Sequence, residues 1–123
     1  MKQLQTNKTY NAFVNAFTGL YYFFRHEQNG RSQLVIGIFT VIISTLLHIS
    51  PHEWIAVLLC IGTVLSAEMI NSALEKLCDY SQPLFNPQIR IIKDIAAGSV
   101  LIISVSSAII GAFIFIPKLL QLV

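Results

Sequence analysis

The sequence predicts an all-α membrane protein: an N-terminal interfacial amphipathic helix plus three transmembrane helices, gathered in a helical bundle. Three observations predict it. Hydrophobic residues make up 54% of the 123-residue chain and charged residues 11%, and the mean hydropathy of +0.67 is well above that of a water-soluble domain of this size. Three apolar stretches, at about 33–49, 54–77 and 95–116, approach or reach the roughly 20 helical residues needed to cross a bilayer core of about 30 Å. The first is the shortest. Finally, Lys and Arg gather at alternate ends of these stretches. Lys2, Lys8, Arg25 and Arg31 precede the first, and Lys76, Arg90 and Lys93 flank the turn between the second and third, whereas the turn at 48–53 has neither. Basic residues near membrane ends mark the cytoplasmic side, so the N-terminus is expected inside and the C-terminus outside, with Lys118 as the exception.

Taken in order, residues 8–25 alternate with helical period. Tyr10, Phe13, Val14, Phe17, Leu20, Tyr21 and Phe24 fall on one face, opposite Lys8, Asn11, Asn15, Thr18, Tyr22 and Arg25. A strongly aromatic face against a thinly polar one suits a helix lying in the interface, at about 8–27. Asn29 and Gly30 are expected to break that helix, and Arg31 to anchor the first span among headgroups. Ser50, Pro51 and Glu53 read as an N-cap, a first-turn proline and the acid of a capping box, so the second span starts there, with Trp54 at the interface. Pro83 and Pro87 bound a cytoplasmic turn, Asn86 reads as the cap of the last helix, and Pro117 is expected to end it. The whole chain, 1–123, reads as one domain without repeats or linkers.

Several function classes are disfavoured. Cys60 and Cys78 have neither metal-site spacing nor the look of a disulfide framework, and they read as packing. The first 33 residues are not a signal peptide, since asparagines break the apolar run and no small-residue cleavage site follows. There is no G-x-x-x-x-G-K-(S/T) and no G-x-G-x-x-G, so a nucleotide would have to be held by other means. His26, His48 and His52 read as solvated interface residues, and no nucleic-acid partner is expected.

The unusual segment is "SAEMINSALEKLCDYS", residues 66–81. At about 100° per residue, Glu68, Asn71, Glu75 and Asp79 fall within an arc of about 80° on one helix face. Acids within a bilayer cost about 2.5–3.5 kcal/mol near its centre and persist mainly where they face a partner, an ion or water. Polar stripes also glue helices together, but glue favours amides and hydroxyls such as Asn71 and Ser72. This stripe holds three carboxylates with only Lys76 near. Such an oxygen-rich set suits Mg²⁺ held by one or two carboxylates plus substrate phosphates, with Lys93 as a point charge. The rival readings are a small cation- or proton-coupled transporter, which would need acids on a path to both sides, and a structural bundle, which leaves Lys93 and Asp94 without a task.

The run "AEMINSALEKLCD", followed by "KDIAAGSV", resembles the small prokaryotic diacylglycerol kinase family, which includes the undecaprenol kinases. Its signature looks like E-x-x-N-(S/T)-A-(I/L)-E-x-x-x-D, filled here by Glu68, Asn71, Ser72, Ala73, Leu74, Glu75 and Asp79. "FRHEQNGR" likewise matches the family's N-terminal acid and arginine at Glu27 and Arg31, and the likeness runs from about Phe13 to the C-terminus. The resemblance implies a homotrimeric enzyme of the bacterial inner (plasma) membrane that transfers the γ-phosphate of ATP to a lipid hydroxyl. It implies Glu68 as catalytic base, Glu27 and Glu75 as Mg²⁺ ligands, and Asn71, Asp79, Lys93 and Asp94 as residues ordering the site and contacting nucleotide. Glu68, Arg31 and Ser72 would lie toward the lipid substrate. The positions Leu84, Phe85 and Asn86 depart from the family's E-Y-H segment, which predicts loose purine selectivity. "EKLCD" and the terminal "FIPK" lean toward the undecaprenol kinase branch. Three spans per chain cannot shield the 68–79 stripe from lipid on all sides, so a second protomer is expected to cover it. Glu27 is then expected to come from a neighbour of the chain supplying Glu68 and Glu75.

Overall fold

The computed structural model describes the chain from Lys2 onward, with side chains from Asn7, so the Lys2 charge counted above lies outside the described side chains. Four helices follow in order: α1 Lys2–His26, α2 Gln28–Leu46, α3 Pro51–Ser81 and α4 Pro87–Leu120. No strand occurs among the described residues. Neighbours in sequence are neighbours in space: α1 packs on α2, α2 on α3 and α3 on α4, with α3 in the middle.

The break between α1 and α2 differs from the sequence expectation. Asn29 and Gly30 lie inside α2, and the single non-helical residue is Glu27, in extended conformation at φ −98°, ψ 123°. Backbone bonds run across it, from Glu27 N to Phe23 O at 3.0 Å and from Arg31 N to Glu27 O at 3.2 Å. Gly30 serves close approach rather than a turn, for a Cβ there would stand 2.9 Å from the Phe23 carbonyl oxygen and 2.8 Å from its ring. The Arg31 guanidinium donates to Arg25 O at 2.8 Å, placing a cation on the last turn of α1, where unpaired carbonyls and the helix dipole favour it. Gly30→Ala is therefore expected to lower stability by about 1–3 kcal/mol, because backbone must shift to admit the methyl. Thermal unfolding in detergent reads this directly; an unchanged midpoint would mean the two helices separate freely at this point.

At the opposite end, His48 turns the chain with a positive φ of 49°. Ser50 and Glu53 form the expected capping box: Ser50 N donates to Glu53 Oε2 at 2.8 Å and Glu53 N to Ser50 Oγ at 3.2 Å. Lys118 Nζ reaches the same carboxylate at 3.1 Å and ties the end of α4 to the start of α3. The Ser50 amide, with Lys118 beside it, holds the Glu53 carboxyl below its ordinary range. Asn86 caps α4, its Oδ1 accepting from Gln88 N at 2.9 Å and Ile89 N at 3.4 Å. Pro117 does not end α4, which continues through it to Leu120. A proline so near a helix end forfeits little of the ladder, and its own carbonyl still accepts from Gln121 N at 3.2 Å.

Two helices are long and apolar enough to cross a membrane, α3 and α4, with 31 and 34 residues. At 1.5 Å per residue these are about 46 and 51 Å long, so each outruns a bilayer core of about 30 Å by several turns. α2 falls short of the same standard because it opens on the polar run Gln28, Asn29, Gly30, Arg31, Ser32 and Gln33, leaving about 20 Å of apolar rise.

Burial is inverted relative to a water-soluble domain. Among the few buried side chains of α3 are Glu68, Asn71 and Ser72, while Ile70, Ile102 and Phe113 are 69%, 70% and 78% exposed. The apolar face of α1 is equally open. A small core of Ile49, Val57 and Ile114, with Trp54 and Phe115 against it, closes the end of the bundle remote from the polar stripe. This is an integral membrane protein whose solvent for apolar side chains is lipid.

Candidate active site

The polar stripe occupies the second half of α3, where the start of α2 packs across it. Glu68, Asn71 and Ser72 are buried there. The side-chain amides of Asn29 and Gln33, one turn apart on α2, face the Glu68 carboxylate, and the Glu75 charge acts on it from further along α3. Asn71 Nδ2 donates to Glu75 Oε1 at 3.2 Å. Asn71 Oδ1 is buried without a hydrogen-bond partner among the described residues. A buried acceptor left unpaired costs about 1–3 kcal/mol, and such atoms are uncommon unless something else supplies the donor.

Nearer the helix end the acids acquire cations. Glu27 Oε1 meets Lys76 Nζ at 2.7 Å, and that ammonium also lies 5.5 Å from the centre of the Tyr22 ring. Asp79 Oδ1 accepts from Lys93 Nζ at 2.8 Å, joining α3 to α4 and raising the lysine above its ordinary pKa, so it stays charged throughout the neutral range. Arg90 pairs with Asp94 one turn along α4 at 3.6 Å. Glu68 differs from Glu27 and Asp79 in having no ion-pair partner among the described residues.

The fold thus draws together Glu68, Asn71, Ser72 and Glu75, sets Glu27 beside them through Lys76, and places Asp79 with Lys93 toward the helix ends. It leaves two predicted site residues apart. Arg31 is turned to the Arg25 carbonyl, and Asp94 is engaged with Arg90 on an exposed turn. Glu27 pairs with Lys76 of its own chain, beside the polar stripe. Asn29 and Gln33 were missed as neighbours of Glu68, because they meet it only through the packing of α2 on α3 and nothing local in the sequence marks them.

In the turn that departs from the family pattern, Leu84 and Phe85 are 81% and 79% exposed beside Tyr80 at 91%. The side chain of Asn86 is committed to capping. Among the described residues no three His, Cys, Asp or Glu side chains converge as a self-sufficient metal cage. Glu27 and Glu75 are hard oxygen donors of the kind Mg²⁺ takes one or two of when phosphate and water supply the rest.

The sequence pattern of the prokaryotic diacylglycerol kinase family matches residues 14–115. The chain belongs to the prokaryotic diacylglycerol kinase family. As a member it is a lipid kinase, which decides against the transporter and structural-bundle readings. The kinase is similar to the undecaprenol kinase of Bacillus subtilis (strain 168), 34% identical over 115 residues that cover 94% of each chain. It is also similar to a diacylglycerol kinase of Synechocystis sp., 30% identical over 112 residues, 90% of this chain and 64% of that longer protein.

Proposed function

We propose that this kinase transfers the γ-phosphate of ATP directly to the hydroxyl of a membrane lipid, with Glu68 as the general base and undecaprenol as the favoured alcohol over diacylglycerol. The observation that carries the reading is the state of Glu68: a carboxylate buried within an apolar helix, faced by two amides and paired with no cation among the described residues. Such a group is free to accept a proton from an alcohol arriving through the bilayer, which an acid held by lysine is not. Asn29 and Gln33 would hold the carboxylate in place, and Asn71, with its open acceptor, would fix the adjoining polar group.

Glu27 and Glu75 would hold Mg²⁺ bound to the nucleotide phosphates. Bound there, the ion would supply charge neutralisation to the phosphates. Lys76, paired with Glu27, would give way to the ion there, and Lys93, with Asp79, would meet the phosphates from the water side. α1 would lie in the interface, α2 to α4 would span the bacterial inner membrane with the N-terminus cytoplasmic and the C-terminus outside, and three chains would assemble to cover the thin bundle. The undecaprenol preference rests on the Bacillus relative, whose match extends over nearly the whole of both chains.

Incubating the purified protein with γ-labelled ATP, Mg²⁺ and a panel of undecaprenol, diacylglycerol and ceramide tests the reading. Labelled undecaprenyl phosphate as the main product is expected; no labelled lipid from any alcohol would refute it. Glu27→Gln and Glu75→Gln are each expected to raise the Mg²⁺ needed for half-maximal activity by about tenfold, equivalent to about 1.4 kcal/mol of binding. Excess Mg²⁺ should recover part of the rate. A Mg²⁺ dependence identical to the parent's would take that residue out of the metal site.

A further inference from the structure

A groove of about 380 Å³ runs between α2, α3 and α4, lined mainly by apolar side chains and kept open by small residues, Gly37 on α2 and Ser107 and Gly111 on α4. One end is marked by Gln33 and Leu65, and the groove extends from there along Val57 and Ile61 to Phe115. Gln33 is one of the two amides that face Glu68, and Leu65 lies three residues before Glu68 on α3. The groove therefore begins at the amide that faces Glu68, about one helical turn from that carboxylate, and leads away from it into the hydrocarbon part of the bundle.

We propose that this groove receives the hydrocarbon tail of the lipid alcohol, and that Gly111 and Ser107 determine which tails fit. The inference rests on the reading of Glu68 as the base. The occupant follows from chemical complementarity: a lipid alcohol has one hydroxyl and a long apolar chain, and the groove has Gln33 at one end, next to the proposed base, and mainly apolar walls beyond it, interrupted only by small hydroxyls such as Thr40 and Ser107. On the α4 side the lining runs from Ser104 to Phe115, about 16 Å of helix rise, enough to guide the first few isoprene units while the remainder extends into the bilayer. Gly111 is where the lumen can be narrowed without disturbing the helices, since a Cβ there would meet nothing closer than the Phe115 ring at 3.9 Å. At Gly37, by contrast, a Cβ would press on Ile61 at 3.3 Å.

The test compares Gly111→Leu and, independently, Ser107→Leu with the parent on two prenols, undecaprenol and geraniol. In each variant the ratio of kcat/KM for undecaprenol to that for geraniol is expected to fall by about tenfold or more. In the unaltered protein, a prenol carrying a diazirine along its tail should label the α4 segment 104–115. An unchanged ratio in both variants, with labelling confined to other helices, would overturn the proposal, as would a benzophenone side chain at position 107 that cross-links only to a second copy of the chain. The two readings fail separately. An inactive Glu68→Gln with an unchanged prenol ratio sinks the groove alone, whereas an active Glu68→Gln with a shifted ratio sinks the base and keeps the groove.

Discussion

Glu68→Gln is expected to reduce phosphoryl transfer to lipid by at least about a hundredfold, the lower bound of what a positioned base contributes. The variant should nevertheless fold, because glutamine keeps the volume of the side chain and can still meet Asn29 and Gln33. Removing a charge from within the apolar part of α3 also removes an insertion cost of order 2.5–3.5 kcal/mol near the bilayer centre. Thermal stability in detergent should equal or exceed the parent's. Loss of activity together with loss of folding would make Glu68 a structural residue, and retention of more than about a tenth of the parental rate would leave the reaction without its proposed base.

The second large effect concerns ownership of the site. Glu27 meets Lys76 of the same chain, Asn29 and Gln33 of that chain face Glu68, and Asn71 bonds Glu75. Three spans of one chain still leave the stripe open on the side a neighbour would cover, so the site is proposed to be shared, with Glu27 of one protomer completing the set of Glu68 and Glu75 of the next. When inactive Glu27→Gln and Glu68→Gln chains are co-refolded, some mixed oligomers then contain one intact composite site, and the mixture is expected to regain activity that neither variant has alone. Silence in oligomers shown to contain both chains would mean that each site belongs to a single chain.

The parts of the fold that were legible in the sequence are those written in local chemistry. The Ser50–Glu53 box, Pro51 and the Asn86–Pro87 cap announce the starts of α3 and α4, because each residue type satisfies backbone groups that only a helix terminus leaves open. The stripe on α3 was legible because 3.6-residue periodicity alone puts its members on one face. What was not legible depends on contacts distant in sequence. Gly30 looks like a breaker by composition, yet its purpose is to let the Phe23 carbonyl approach, which no periodicity reveals. Arg31 reads equally well as a headgroup anchor or a substrate contact, and only the position of the Arg25 carbonyl assigns it to a helix end. Asn29 and Gln33 carry no signature until α2 is known to lie over Glu68. Pro117 was misread because a proline one turn before a helix end removes only one bond, too little to stop it.

Direct attack by the lipid hydroxyl on the γ-phosphate, with Glu68 taking the proton, implies a single displacement in which entering and leaving oxygens stand in line. The stereochemical course at phosphorus reports this. With ATP made chiral at the γ-phosphorus by oxygen isotopes, the lipid phosphate should be formed with inversion of configuration. Retention would mean two successive displacements through a phosphorylated enzyme, and would recast the buried carboxylate as a nucleophile instead of a base.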